Sequence, residues 1–510
     1  MTLELDGSSL NLQMLVRDTR EPVRAALADS AREAMTRSAA MVADVIKAGD
    51  AVYGINTGFG ALAGKRIEDA DLSTLQHNLV RSHAAGIGDP LPAPIVRRIL
   101  LLKANSLAGG SSGVRPELAE ALIALANAGV TPRIPERGSV GASGDLAPLA
   151  HLALALIGEG EGMKDGTELK GADVMRAAGV EPLALGPKDG LALLNGTQVS
   201  AAIALEGLFA GERLLRTAIV AGALSVEGLA GSYAPFDARI HQVRNQDGQA
   251  RVAAAFRALL TDSEINRSHR NCGRVQDPYS TRCQPQVLGA VYDTLAHAAR
   301  VLEREANGAT DNPLVFDGEV ISGGNFHAVP VGMAADFMAI ALADLGSLAE
   351  RRIDTFMRQV NPALPAFLAH QPGLESGFML AHVTAAALAS ENKTLAHPAS
   401  VDTVPTSAGQ EDHVSMAPWA GLKLLRIADN VAAILGVELA AAAAALDIQR
   451  PLATTPELAP VYADVRSAVP EWTGDRRPDR DIAALAELVR GGRIAERLPG
   501  AAWQALWATD

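Results

Sequence analysis

The segment from Ala417 to Asp447 limits the possible folds of this chain most strongly, because it is long, apolar and patterned like a helix. Such a helix is apolar on almost every side, so it needs other helices packed around it. Its alanine run leaves little side-chain bulk and lets neighbouring helices approach closely. The charged residues 350–352 are expected to end a second long helix. That second helix is predicted by the spacing of Phe337, Ala341, Leu345 and Leu348.

The amino-acid composition also favours helices over sheets. Hydrophobic residues make up 48% of the 510 residues and aromatic residues only 4%, so alanine and leucine supply most of the apolar content. Strands prefer β-branched and aromatic residues, whereas alanine and leucine are good helix formers. We therefore predict a mainly α fold in which residues 191–510 form a long central helix bundle. Residues 1–190, where short helical patterns alternate with turn-rich segments, are predicted to form a smaller, loop-rich N-terminal domain.

Charge and cysteine content exclude several classes of protein. The chain has 45 Lys and Arg against 58 Asp and Glu, a net charge of −13, and its sequence contains no basic cluster, so we expect no nucleic-acid partner. Cys272 and Cys283 provide neither a disulfide framework nor a cysteine-based zinc site. The N-terminus lacks the basic-then-apolar order of a signal peptide. The apolar run Val431–Leu446 is too short and too rich in alanine for a bilayer span, so we expect a cytoplasmic protein without a membrane partner.

The segment Gly138–Asp145 contains a tripeptide, Ala142-Ser143-Gly144, that could become an electrophile. Covalent catalysts among ordinary side chains are nucleophiles, so a chain that needs an electron sink must bind a cofactor or rearrange its own backbone. Attack of the Gly144 nitrogen on the Ala142 carbonyl carbon would close a five-membered imidazolone ring. Loss of water from that ring and from Ser143 would leave a conjugated methylidene group. Glycine suits the attacking position, because it has no Cβ to resist the compressed geometry.

The same tripeptide has a simpler interpretation, which is a flexible loop before a helix. Asp145 is then the N-cap of that helix, and Pro148 lies in its first turn, where the missing N–H is not needed. Ala-Ser-Gly occurs by chance in about one chain in five of this length. The tripeptide alone therefore does not distinguish the two interpretations, and the rest of the chain has to do so.

Several further segments are polar, punctuated by glycine and rich in side chains that can do chemistry. Each has a plain explanation when taken alone: Tyr53 as a core tyrosine, His83 as a structural histidine and Asn195-Gly196 as a turn. All of them lie outside the predicted long helices. The segments are Tyr53–Gly60, Ser82–Gly86, Leu194–Thr197, Gln276–Arg282, Gly323–His327 and Gln410–His413.

Taken in order with Gly138–Asp145, these segments resemble the aromatic amino acid ammonia-lyases that carry a methylidene-imidazolone (MIO) group. The resemblance runs from about Tyr53 to Pro418, and the sequence GSVGASGDLAPLAH is highly specific to that family. It implies a lyase whose MIO forms autocatalytically from Ala142-Ser143-Gly144, in a loop of the N-terminal domain. It also implies a homotetramer in which several subunits build each active site. No external cofactor is expected.

The resemblance implies a role for each matching residue. Tyr53 corresponds to the catalytic base, and Arg282 to the partner of the substrate carboxylate, a role that suits its permanently charged, bidentate guanidinium. Tyrosine has an ordinary pKa near 10, so the site is expected to stabilise the phenolate and activity to rise through mildly alkaline pH. Tyr279 is placed with Tyr53 among the catalytic residues. Residues that position the substrate or shape the ring-forming site are Asn195, Gln276, Tyr279, Asp145 and Phe326.

Two positions indicate which amino acid is the substrate. Tyrosine- and phenylalanine-selective relatives have His-Leu or Phe-Leu where this chain has Ser82-His83, and Gln where it has Glu411. Leaving an imidazole nitrogen unpaired in a buried site costs about 1–3 kcal/mol. His83 and Glu411 can pair with both nitrogens, so the resemblance implies L-histidine as substrate and trans-urocanate as product. Gly409 stands where many relatives have asparagine, a change expected to alter affinity more than the reaction.

Other interpretations stay open at this stage. A tyrosine or phenylalanine ammonia-lyase, or a 2,3-aminomutase, would use the same machinery, and product analysis separates these activities. A catalytically inactive helical scaffold is disfavoured because Tyr53, Ser143 and Arg282 are intact. A fumarase-type lyase is disfavoured because its GSSxMPxKxN loop has no counterpart. No metal is expected, because the spacing of the candidate ligands fits no standard zinc pattern; these are His327, His413 and Glu411.

Overall fold

The computed structural model describes residues 2–49, 51–58, 65–270 and 272–507, and it is mainly helical, as predicted. Phe59 and Gly60, from the segment Tyr53–Gly60, lie outside the described residues. The chain divides into two compact units, and the domain boundary between residues 190 and 191 stays a prediction. The first unit is Met1–Glu206, Ala299–Asp336 and Pro398–Leu422, and the second is Gly207–Ala298, Phe337–His397 and Lys423–Asp510.

The part of the chain before residue 195 consists of short helices and small sheets. Its helices are α1 (Leu12–Arg20), α2 (Asp29–Ala48), α3 (Leu72–His83), α4 (Ala93–Ala108), α5 (Pro116–Asn127), α6 (Leu146–Leu156), α7 (Asp173–Arg176) and α8 (Asp189–Leu194). Its strands are β1 (Thr2–Leu5), β2 (Arg24–Leu27), β3 (Ile87–Pro90), β4 (Thr131–Pro132), β5 (Pro135–Arg137), β6 (Glu161–Lys164) and β7 (Thr167–Lys170). Strands β1 and β2 pair in parallel, β3 pairs with β5, and β4 extends the β6–β7 hairpin.

Long helices dominate the rest of the described chain. The helices are α9 (Gln198–Gly228), α10 (Ala238–Arg244), α11 (Asp247–Leu259), α12 (Glu264–Ser268), α13 (Tyr279–Arg282), α14 (Gln284–Ala306), α15 (Val329–Met357), α16 (Met379–Leu395), α17 (Ala417–Ile448), α18 (Ala459–Ala468) and α19 (Pro478–Arg490). One more antiparallel pair of strands, β8 (Leu314–Phe316) and β9 (Glu319–Ile321), precedes α15. Single 3₁₀ turns are Asp69–Asp71, Ala234–Phe236, Ala366–Leu368, Ser407–Gly409 and Ala495–Arg497.

The long helices of the second unit pack closely where their side chains are small. A Cβ on Gly228 of α9 would lie 3.1 Å from the Ala445 Cβ of α17, which is tight van der Waals contact. The expectation that charged residues 350–352 end the second long helix is wrong, since α15 runs on to Met357. Arg352 does not need solvent, because it is fully buried and forms a two-bonded ion pair with the buried Glu438, at 2.5 and 2.8 Å.

In the described part of the chain, two helices, α15 and α17, are long and apolar enough to cross a membrane by length and composition alone. The apolar run Val431–Leu446 lies inside α17, a helix of 32 residues. Within the most apolar window of each helix, 61% of α15 and 78% of α17 is buried inside the protein. Such burial is typical of core helices, so these lengths are weak evidence for a membrane span.

Candidate active site

The loop that carries the predicted electrophile lies between β5 and α6 in the first unit. Its backbone is left-handed at Gly141 and Gly144, with φ of +67° and +71°. Two hydrogen bonds hold its first half: Ser415 Oγ donates to the Gly141 carbonyl at 2.9 Å, and Met416 N donates to the Val140 carbonyl at 2.8 Å. The tripeptide therefore follows an anchored backbone, in contrast to the flexible loop of the simpler interpretation.

Asp145 anchors the other end of the loop. Its backbone N–H donates to the Gly196 carbonyl at 2.7 Å, and its carboxylate accepts from both N and Oγ of Ser200, each at 2.7 Å. Burial raises the pKa of Asp145, although hydrogen bonds from Ser200 and Ser139 act in the opposite direction. Asp145 does occupy the N-cap position of α6, but its side chain makes no capping bond there. Its carboxylate instead helps to hold the loop in place.

Asn195, the residue after α8, reaches the tripeptide with its side-chain amide. Its Nδ2 donates to the Ser143 carbonyl at 3.0 Å. Its Oδ1 is buried and has no hydrogen-bond partner among the described residues. An unpaired buried oxygen costs about 1–3 kcal/mol. A bound molecule that offers an N–H at this point would recover that free energy.

A cavity of about 1110 Å³ opens beside the tripeptide. All of its lining residues belong to the first unit, and they bring together parts of the chain that are far apart in sequence. A volume of this size accommodates an amino acid. Gly144 lies in the loop behind this lining. The predicted site residues that line the cavity are Tyr53, His83, Ala142, Ser143, Asn195, Phe326 and Glu411.

Glu411 and His83, the two predicted selectivity residues, both face this cavity. Glu411 Oε1 accepts a hydrogen bond from Ser143 Oγ at 2.7 Å, so the carboxylate touches the residue expected to become electrophilic. His83 ends α3, and its Nδ1 lies 2.8 Å from the Leu79 carbonyl. A carbonyl only accepts, so Nδ1 carries the proton and Nε2 is left as an acceptor when the ring is neutral.

Thr406 also belongs to the site, and the sequence analysis missed it. Its Oγ1 donates to Glu411 Oε2 at 2.6 Å, and the two residues form an antiparallel bridge. Gly409 lies in the turn between them with φ +85°, and a Cβ added there would meet nothing within 4 Å. Asparagine tolerates this left-handed region better than most residues, so either residue fits the turn. The available sequence signal was the Ser407–Gly409 turn immediately before Glu411.

The histidines considered as metal ligands form a pair of their own. The rings of His327 and His413 are stacked, with centroids 5.6 Å apart and planes 8° apart, and His327 Nε2 lies 3.1 Å from the His413 carbonyl. Among the described residues, no group of three or more His, Cys, Asp or Glu side chains is arranged to hold a metal ion.

Three predicted site residues lie together in the second unit and do not line the cavity described above. Arg282 donates from Nε to the Asp277 carbonyl at 3.1 Å and from a terminal nitrogen to Gln276 Oε1 at 3.2 Å. Its guanidinium also covers the ring of Tyr279, 4.7 Å from the centroid. The Tyr279 side chain is 72% exposed, so this cluster presents a cation and an aromatic ring to its surroundings.

Comparison with known proteins assigns the chain to a family. The family described as aromatic amino acid lyase matches residues 10–467. The chain belongs to the aromatic amino acid lyase family. It is therefore a carbon–nitrogen lyase, and the resemblance drawn from the motifs is confirmed. Its mainly helical architecture is that of an aromatic amino acid lyase.

Individual members of the aromatic amino acid lyase family are similar over nearly the whole chain. A histidine ammonia-lyase of Aromatoleum aromaticum is 57% identical over 467 residues, which cover 91% of this chain and 89% of the relative. Histidine ammonia-lyase from Trypanosoma cruzi, whose crystal structure is known, is 40% identical in sequence with a TM-score of 0.91. The match covers 100% of this chain and 98% of the Trypanosoma cruzi chain. A tyrosine aminomutase of Streptomyces globisporus is 36% identical with a TM-score of 0.92, covering 98% of each chain.

Proposed function

We propose that this protein is a histidine ammonia-lyase, which eliminates ammonia from L-histidine to give trans-urocanate, the first step of histidine degradation. One observation carries the proposal: the Glu411 carboxylate lies 2.7 Å from Ser143 Oγ, in the cavity that His83 also lines. A carboxylate and an imidazole acceptor can each accept a hydrogen bond from one ring N–H of the substrate when its imidazole is protonated. The 57% identity to a named histidine ammonia-lyase supports the same substrate.

The residues around the tripeptide fit an MIO group formed from Ala142, Ser143 and Gly144. Gly144 lies where any Cβ would collide with Gly196, and Asn195, which lines the cavity, keeps a buried oxygen without a partner among the described residues. Once formed, the group supplies an electrophilic carbon at the Ser143 position that takes up the substrate amine and makes it a better leaving group. No external cofactor is required for this chemistry.

The chain's own side chains then bind the substrate and move one proton. Tyr53, at the cavity wall, accepts the proton from the substrate β-carbon. Asn195 Oδ1 accepts a hydrogen bond from the substrate amine, which satisfies the unpaired oxygen. Glu411, held by Thr406, and His83 orient the imidazole so that the β-carbon faces Tyr53. Phe326 forms part of the apolar wall.

Binding of the substrate carboxylate is assigned to Arg282, with Gln276 and Tyr279 positioning the substrate beside it. These residues belong to the second unit. The family resemblance implies a homotetramer whose active sites are completed by neighbouring subunits. The exposure of Tyr279, 72%, agrees with a role at such a shared site. We place the enzyme in the cytoplasm.

The test is incubation with L-histidine and with L-tyrosine in separate reactions, with mass spectrometric identification of the products. We expect urocanate from histidine and at most traces of product from tyrosine. Coumarate as the main product would assign the enzyme to the tyrosine ammonia-lyases. A β-amino acid would make it an aminomutase, the activity named for the relative from Streptomyces globisporus. Either result would overturn the proposal.

A further inference from the structure

A lysine lies buried beneath the ring-forming loop, and the reaction as described above does not use it. Lys103 is on α4, and only 1% of it is exposed. Its Nζ donates to the backbone carbonyl of Asn195 at 2.5 Å, 92 residues away in sequence, and lies 3.5 Å from Gln198 Oε1. The lysine therefore reaches the segment that holds the tripeptide, without touching the cavity itself.

The segment held by Lys103 contacts Ser143 and Asp145, the two neighbours of Gly144. The Asn195 side chain donates to the Ser143 carbonyl at 3.0 Å, and the Gly196 carbonyl accepts from Asp145 N at 2.7 Å. Any outward movement of residues 195 and 196 would loosen both contacts. It would also open space in front of the Gly144 nitrogen, which has to press against the Ala142 carbonyl carbon for the ring to close.

Packing alone does not explain a lysine at this position. Burial lowers the pKa of Lys103 to about 8; Asp311 and Asp145 act against that shift, and Lys188 adds to it. Lys188 is itself buried and paired with Asp311 at 2.7 Å. Burying a charge costs free energy unless the charge is paired and hydrogen-bonded, so packing alone would favour an apolar residue here. What an apolar residue cannot provide is the charge-assisted bond to the Asn195 carbonyl, which is about twice as strong as a neutral one.

We propose that Lys103 is a positioning residue for ring closure, whose ammonium clamps the Asn195-Gly196 backbone against Ser143 and Asp145. The inference rests on the proposed function, because it supposes that the MIO forms. Lys103 transfers no proton in the process. The Gly144 nitrogen bonds to the Ala142 carbonyl carbon, and its proton moves to the Ala142 oxygen. That hydroxyl leaves as water with the Ser143 amide proton, and the Ser143 hydroxyl leaves as a second water with the Ser143 α-proton.

The test compares the wild-type chain with Lys103→Met and Lys423→Met. Lys423 is a matched control, because it is also 1% exposed and its Nζ also donates to a backbone carbonyl, that of His397, at 2.5 Å, but in the second unit. Soluble protein of each is analysed by intact mass for the loss of two waters, by near-ultraviolet absorbance and by thermal unfolding. We expect full water loss in wild type and Lys423→Met, and at least a tenfold lower ring content in Lys103→Met.

The other possible results would overturn either the role of Lys103 or the proposed function. Complete water loss in Lys103→Met overturns the role of Lys103, and so does an equal loss of ring in both lysine variants, which would show a general effect of deleting a buried charge. A wild-type chain without the water deficit would instead overturn the proposed function. If Lys103→Met yields no soluble protein, Lys103→Gln, which keeps a neutral donor, takes its place. Ring formation in Lys103→Gln should be slower than in wild type, and an equal rate would overturn the proposal.

Discussion

Gly144 and Gly196 pair as a parallel β-bridge, so close that a Cβ on Gly144 would lie 2.2 Å from the Gly196 carbonyl oxygen. The Gly144 nitrogen therefore lies between Ser143 and Asp145, which hydrogen bonds to residues 195 and 196 hold in place. Its left-handed φ of +71° adds a second requirement for glycine. The site therefore depends on glycine both for the chemistry of ring closure and for the packing of the loop.

Gly144→Ala should destabilise the fold more than a glycine substitution that costs only backbone strain. Gly166, in the turn of the β6–β7 hairpin, has φ +79° and nothing within 4 Å of a Cβ position, so it is the matched control. Gly166→Ala should lower the free energy of unfolding by about 1–2 kcal/mol through strain. Gly144→Ala should lose a further 1–3 kcal/mol, roughly, through overpacking against Gly196.

Urea unfolding of both alanine variants in a Ser143→Ala background, where no ring can form, measures the difference directly. Equal losses at the two positions would show that the loop shifts to admit a methyl group. The close contact between Gly144 and Gly196 would then have no energetic weight.

Chemistry-bearing residues were easier to predict from the sequence than the residues that support them. The helical composition marks the fold, and the resemblance to the aromatic amino acid ammonia-lyases marks the tripeptide, Glu411 and His83. Lys103 does not stand out, since a lysine in the middle of a helix normally indicates a solvent-facing side. Helix α4 is buried on nearly all sides, and its polar residues find partners far away in sequence, such as Asn195.

The error in the predicted end of α15 has the same cause, which is a partner far away in sequence. Residues 350–352 look like a polar stop, but Arg352 is paired with Glu438, 86 residues later, and α15 continues. The sequence around residues 350–352 gives no sign of this distant ion pair. The contact of Thr406 with Glu411 is short-range and could have been found, because the Ser407–Gly409 turn brings the two residues together.

Ser143→Ala should remove the ring without disturbing the fold. Alanine has no hydroxyl to lose, so we expect an intact mass without the two-water deficit, no near-ultraviolet band and a loss of turnover on the order of 10⁴-fold or more. Ser322→Ala is the matched control, because Ser322 lines the same cavity. It should keep both the deficit and most of the activity. Full activity in Ser143→Ala would exclude the tripeptide as the source of the electrophile.

Glu411→Gln should weaken histidine turnover while leaving the ring intact. The amide keeps the shape of the side chain but loses the charge-assisted bond to the imidazole, worth about 1.5–3 kcal/mol, or roughly 10- to 150-fold in kcat/KM. Asp412→Asn is the control, since Asp412 lines the same cavity and is exposed. Steady-state kinetics with L-histidine, together with intact mass, measure the two effects separately. Wild-type kcat/KM in Glu411→Gln would remove Glu411 from substrate recognition.

Co-expression of two inactive variants should restore activity if subunits share active sites. Tyr53→Phe removes a group of the first unit and Arg282→Ala a group of the second, so mixed tetramers would contain some sites with both groups intact. Tyr53→Phe with Ser143→Ala is the control pair, because both residues line one cavity of one chain and no mixed site can recover them. Differently tagged chains and tandem purification yield the mixed tetramers for assay. Equal activity from the two pairs would argue against sharing.

Glu305→Gln should change how stability depends on pH. The half-buried Glu305 accepts a hydrogen bond from Thr197 Oγ1 at 2.5 Å, and burial raises its pKa above the ordinary 4.5. Above pH 4.5 the folded chain therefore holds a proton that the unfolded chain has released, and stability contributed by this group falls as pH rises towards the folded pKa.

Glutamine does not titrate, so Glu305→Gln should gain stability relative to wild type between pH 4 and pH 7. Urea midpoints across that range compare Glu305→Gln with wild type and with Glu68→Gln, a substitution at an exposed glutamate of the first unit. A constant offset between Glu305→Gln and wild type would mean that Glu305 ionises equally easily in both states.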